Sequence, residues 1–175
     1  MASTLKVQNI AHTGGTNAIA IDSGGFSFDK RPHFIAKTNQ AQSIPSSTYT
    51  QMEIHASVAD THSFIDLSNN RINFSSDTAG TYLCTISQKM NNLTSNRFMM
   101  AARYSNTQNG NDYIAYFEEN RAESSYSQAT YTFLYTFTAS NVLAVDYYQD
   151  GSGAVNTYTA TAAALNGFIS GFKIG

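Results

Sequence analysis

Apolar and polar residues alternate along most of this chain with a period of two, the pattern of strands that bury one face. The clearest case places Tyr131, Phe133, Tyr135 and Phe137 on one side, against Thr130, Thr132, Leu134, Thr136 and Thr138 on the other. Burying such a ring contributes about 2–3 kcal/mol before entropy is subtracted. Further strand-like runs are Phe34-Ile35-Ala36, Thr48 to Glu53, Phe64 to Asp66, Arg71 to Phe74, Thr81 to Met90, Phe98 to Tyr104, Tyr113 to Phe117, Val142 to Tyr148 and Gly167 to Ile174. Clusters of Gly, Asn, Asp and Ser separate them, as at Ser68-Asn69-Asn70, Asp77 to Gly80, Asn109 to Asp112 and Asp150 to Gly153. Val142 to Tyr148, with Leu143, Val145 and Tyr147 along one side, is expected to face the Tyr131–Phe137 row. No window of eleven or more residues combines helical period with helix-forming composition, and Ala160 to Leu165 reads as a loop.

The predicted organisation is a short leading segment, residues 1–29, and a main domain, residues 30–175. The leading segment holds two apolar runs, Leu5 to Ile10 and Ala18 to Asp22, each followed by glycine-rich turns. It carries too little apolar surface to fold alone and must pack on something else. The main domain supplies about eight to ten strands, which fits a two-sheet sandwich of jelly-roll type. Its last strand is expected to be central, because a strand at the chain terminus frays unless it is paired on both sides.

Composition narrows the function. Charged residues are 13 % of the chain, about half the usual share. Asn, Ser, Thr, Gly and Tyr take their place, which suits uncharged outer strand faces and not solvated helices. The net charge is −2 and the ten Lys and Arg are scattered, so no nucleic-acid partner is expected. Apolar runs are too short for membrane insertion by a helix. Met1 to Lys6 carries no apolar signal core, so synthesis in the cytoplasm is expected. The single cysteine, Cys84, lies in a strand-like run and reads as a buried core residue.

Candidate chemistry is sparse. His55 and His62 lie near Asp60 and Asp66, but ligands for a metal need a convergent geometry that this loop sequence does not supply. Asp60-Thr61-His62-Ser63 contains the residue types of a catalytic triad, yet triads are assembled from separate elements. Glu118 and Glu119 are adjacent, so in a strand they point to opposite faces and cannot work as a facing pair. Gly14-Gly15-Thr16 and Ser23-Gly24-Gly25 lack the lysine and following helix of a phosphate loop. No enzyme activity, cofactor or metal is therefore expected. The 11 Tyr and 11 Phe, with no Trp, stand out. Tyrosine combines an apolar face with a polar tip and serves both subunit contacts and carbohydrate binding. Tyr104, Tyr113, Tyr116, Tyr147 and Tyr148 are assigned to the sandwich and a subunit seam, and no receptor site is named among them.

Several of these runs carry a family resemblance. Phe34-Ile35-Ala36, Gly80-Thr81-Tyr82-Leu83, Tyr135 to Val145 and the ending Phe168-Ile169-Ser170-Gly171-Phe172 resemble the C1q and tumour-necrosis-factor family of jelly rolls. The resemblance implies a homotrimer, with Tyr82, Tyr131, Phe133, Tyr135, Phe137, Phe168 and Phe172 in core or trimer packing. Some relatives bind calcium near the threefold axis; no acidic cluster here supports that. Leu5 to Ile10 and Gly15 to Gly25 resemble the N-terminal motif of small structural proteins of marine and cyanobacterial phages. That resemblance implies a virion protein whose residues Leu5, Val7, Ile10, Ile19 and Ile21 attach it to other structural proteins of the tail or capsid. The expected roles are a trimeric tail-fibre or spike component whose knob contacts a host surface glycan, a capsid decoration protein (cement or head fibre), or a carbohydrate-binding or glycan-degrading module. No collagen-like or coiled-coil stalk separates the two parts, which argues against a long shaft.

Overall fold

The structure, a computed structural model, describes residues 9–11, 17–22, 25–27, 31–91, 97–106, 112–119, 127–158 and 166–174. Among these residues every regular element is a strand. The leading segment forms a three-stranded antiparallel sheet from β1 (Asn9–Ala11), β2 (Asn17–Asp22) and β3 (Gly25–Ser27). Its register pairs Ile10 with Ile19 and Ile21 with Phe26. Leu5, Val7, the expected boundary at residues 29 and 30, and the expected loop Ala160 to Leu165 lie outside the described residues.

The rest of the chain runs β4 (His33–Thr38), β5 (Ser43–Ile44), β6 (Thr50–Gln51), β7 (Ala56–Asp60), β8 (Ile65–Asp66), β9 (Arg71–Asn73), β10 (Gly80–Asn91), β11 (Phe98–Arg103), β12 (Tyr113–Glu119), β13 (Ser127–Phe137), β14 (Val142–Gln149), β15 (Val155–Thr157) and β16 (Gly167–Lys173). These are more strands than expected because β5, β7 and β15 pair where no strand-like run was read. They build two antiparallel sheets stacked as a jelly-roll sandwich. The first has the order β5-β15-β10-β16-β4-β7, with β13 on the far side of β10. The second has the order β12-β11-β14-β9-β8, with β6 also on β14. The final strand, β16, is central, paired to β10 and β4.

Alternation decides which residues meet between the sheets. Phe34, Tyr82, Cys84, Ile86 and Ile169 point inward from the first sheet, and Ile72, Phe98, Met100, Leu143, Val145 and Tyr147 from the second. One end of this core is aromatic. Phe74 stacks on Phe137 at 4.0 Å, Phe34 meets Phe64 at 5.2 Å, and the buried Tyr82 hydroxyl donates to the Thr78 carbonyl at 2.6 Å. Towards the other end the core takes in polar groups and satisfies them: the Tyr147 hydroxyl donates to Gln88 Oε1 at 2.7 Å, and Gln149 Nε2 donates to the Ile44 carbonyl at 3.1 Å.

Two placements differ from expectation. The Tyr131–Phe137 row faces β12 and its neighbours rather than Val142 to Tyr148, because β13 lies at the edge of its sheet and β14 in the middle of the other. Also, β11 and β14 are almost wholly buried, where a two-layer sandwich normally leaves one face of each strand wet.

Candidate assembly interface

β13 is eleven residues long, without a charge or a proline, and among the described residues it pairs on its β10 side alone. A long, flat, uncharged edge exposes a row of backbone donors and acceptors, and proteins normally blunt such an edge or cover it. Nothing in the sequence of β13 blunts it. Its inward row explains part of the uncharged character: Phe137 is buried, while Tyr131, Phe133 and Tyr135 are half-buried along the rim of the sandwich. There Phe117 of β12, the edge strand of the other sheet, stacks on Tyr131 at 4.4 Å and approaches Phe133 at 5.9 Å. Tyr104 lies parallel to Tyr135 at 6.2 Å.

The outward row of β13 continues across the sheet. The ladder with β10 sets Thr136 beside Thr81, Leu134 beside Leu83, Thr132 beside Thr85 and Thr130 beside Ser87. The hydroxyl pairs close on one another at 2.8, 3.0 and 2.7 Å, so this surface satisfies much of its polarity within itself. Between them runs an apolar row. Leu134 is 60 % exposed, Leu83 44 % and Phe172 42 %, and Leu83 is the register partner of both others. Beside the row, Ile35, His33, Thr85 and Ser170 help line a depression of about 260 Å³. Gly171 sits at its floor. Its inner side is filled by the Phe34 ring: a Cβ at residue 171 would lie 2.3 Å from Phe34 Cζ.

The surface therefore combines two complementary parts, a half-covered aromatic rim and a flat face of leucine, phenylalanine and self-paired hydroxyls. Removing such apolar area from water is favourable by about 25 cal/mol per Å². No charge inside the row of Leu134, Leu83 and Phe172 must be desolvated, so the arrangement suits a protein partner.

The residues singled out from sequence distribute as follows. Tyr82 and Phe137 belong to the core; Tyr131, Phe133 and Tyr135 to the rim; Phe168 and Phe172 to the outer face of the first sheet. Ile10 lies in β1, and Ile19 and Ile21 in β2. Leu83 and Leu134 were not singled out, although a leucine interrupting a row of threonines was a readable sign. Asp60 accepts the backbone amides of Phe64 and Ile65 at 2.7 and 2.9 Å, and His62 Nδ1 lies 2.8 Å from Thr61 Oγ1, so these side chains organise a turn. Glu118 and Glu119 are the register partners of Met99 and Phe98, on opposite faces of β12. Among the described residues, no three His, Cys, Asp or Glu side chains converge. Burial pushes the Cys84 thiol up to about 12, which leaves it almost wholly protonated and unreactive at neutral pH.

No family model matches the chain, and no curated protein does. Solved structures do match its fold. The globular domain of zebrafish complement 1qA aligns with TM-score 0.58 at 9 % identity, over 83 % of this chain and 98 % of that one. The Eiger TNF from S. frugiperda aligns with TM-score 0.60 at 10 % identity, over 82 % and 91 %. The PRD1 vertex protein aligns with TM-score 0.55 at 15 % identity, over 83 % and 98 %. The fold is thus the C1q/TNF jelly roll.

Proposed function

We propose that this chain is a structural protein of a tailed-phage virion, a homotrimeric tail-fibre or spike knob attached to the particle through residues 1–29. The observation that carries the reading is the uncharged β13 edge running beside the exposed row Leu134, Leu83 and Phe172. An edge-to-face arrangement buries both parts at once: the rim of one copy lies on the flat face of the next, and repetition about a threefold axis closes the ring with no edge left over. Trimeric packing is also what the C1q/TNF resemblance implies. The phage assignment draws on the N-terminal motif and on the shared fold with a viral vertex protein. That neighbour favours a second reading, a decoration or cement protein on the capsid, with the same trimer and the same attachment segment. Neither reading gives the chain a catalytic step.

Sedimentation equilibrium tests the assembly. The full chain should sediment at three times its 19.1 kDa mass, and Leu134→Glu should shift it to the single-chain mass by placing a carboxylate in the seam. A wild-type chain that stays single at micromolar concentration overturns the reading. Deleting residues 1–29 should leave the trimer intact and abolish incorporation into particles. Copy number per virion then separates tail from capsid.

A further inference from the structure

The sheet opposite the proposed seam carries a second built surface. β11 and β14 point Met99, Ala101 and Arg103, and Ala144, Asp146 and Tyr148, to the outer side, and the register lays these residues in rows across the sheet. Ala101 and Ala144 are small, and they form a low floor. A register shift in the β11–β12 ladder sets Tyr113 beside Arg103 and Tyr116 beside Ala101. In a regular strand, residues three apart face opposite ways; the shift brings both tyrosines to the outer side. Tyr49, from the loop before β6, closes the group. Its ring stacks on Tyr113 at 5.8 Å and meets Tyr148 at 5.0 Å, and Tyr113 meets Tyr116 at 4.9 Å.

Four tyrosines from three separate segments thus make one platform, with Tyr49 38 % and Tyr116 50 % exposed. Beneath it the Tyr113 hydroxyl donates to Asp146 Oδ2 at 3.0 Å, and Asp146 also accepts from Arg103 Nε at 2.9 Å, which fixes the ring from below. At one end Arg97 lies over Tyr148, 5.6 Å from the ring centroid, and pairs with Glu118 at 3.2 Å. The Asp150 carboxylate caps the backbone amide of Arg97 at 3.1 Å. Among the described residues each arginine at the platform is matched by a carboxylate. Burial pushes the Tyr49 and Tyr113 phenols further above their already high ordinary value.

We propose that this tyrosine platform binds an uncharged pyranose glycan. Pyranose rings present a face of C–H groups that packs on aromatic rings, and a rim of hydroxyls that needs mixed donors and acceptors. The platform offers both: the partly exposed rings of Tyr49 and Tyr116, and phenol, guanidinium and carboxylate groups around them. Among the described residues both arginines at the platform are already paired, and Glu118 and Asp150 would repel sulfated or carboxylated sugars. Fixed rings lose little entropy on binding. The proposal rests on reading the chain as an outward-facing knob, and it uses the sheet opposite the seam.

Saturation-transfer NMR on the full chain, with neutral glucan, galactan and mannan oligosaccharides and a sulfated oligosaccharide as control, tests it. At least one neutral oligosaccharide should bind. Tyr116→Ala and Tyr49→Ala should each weaken that binding by about fivefold or more, and Tyr116→Phe should retain it, because the ring carries the contact. All three variants should sediment like the wild type, so loss of binding and loss of the trimer are read separately. Absence of neutral-sugar binding, binding of the sulfated control alone, or undiminished binding by both alanine variants overturns the proposal; in that last case the tyrosines only cover the ion pair.

Discussion

Arg103 and Asp146 form an ion pair 2.9 Å apart in the interior, 2 % and 0 % exposed. Removing both charges from water costs several kcal/mol per ion, and only a complete set of partners offsets that. The set is present. Arg103 donates to Gln51 Oε1 at 2.8 Å and to the Ser105 carbonyl, and Asp146 accepts from the Tyr113 hydroxyl as well. Asp146→Asn would leave the guanidinium buried beside a neutral amide, and the stability of the fold should fall by about 3 kcal/mol, measured by denaturant titration. Arg103→Met with Asp146→Leu should recover most of that loss, since the desolvation penalty disappears with the charges. None of this was legible in the sequence. The residues are 43 apart, and nothing within the run Phe98 to Tyr104 marks Arg103 as the partner of Asp146.

Among the elements, β10 and its neighbours show how much period-two patterning decides. Its inner row Tyr82, Cys84, Ile86, Gln88 and Met90 is buried, and its outer row pairs hydroxyl to hydroxyl with β13. Where β16 crosses between β10 and β4, Gly171 is dictated by Phe34, whose ring occupies the volume a side chain would take. Gly171→Ala should destabilise the fold by about 1–3 kcal/mol through overpacking, seen as a lowered midpoint in thermal or denaturant unfolding. Phe34→Leu in the same chain should restore part of it. The aromatic alternation in β13 was readable because it is a property of one strand. The bulge that turns Tyr113 and Tyr116 to the same side was not, because it depends on how β12 pairs with β11.

At the scale of the whole molecule, the two broad faces of the sandwich differ. One is flat, apolar and self-paired in its hydroxyls; the other is roofed by tyrosines over a buried ion pair. In the proposed trimer the first face is shared between copies, so folding and assembly are linked. The melting temperature should then rise with protein concentration in a calorimetric dilution series, and this dependence should vanish in Leu134→Glu. The sequence alone determined the all-β class, the inward aromatic rows and the uncharged outer faces, because strand geometry converts a local alternation directly into two faces. Tertiary structure alone decided which strands became edges, which central strands lost water from both faces, and which distant tyrosines came to share a surface. Those outcomes depend on pairing between segments many residues apart, and no local pattern encodes a pairing partner.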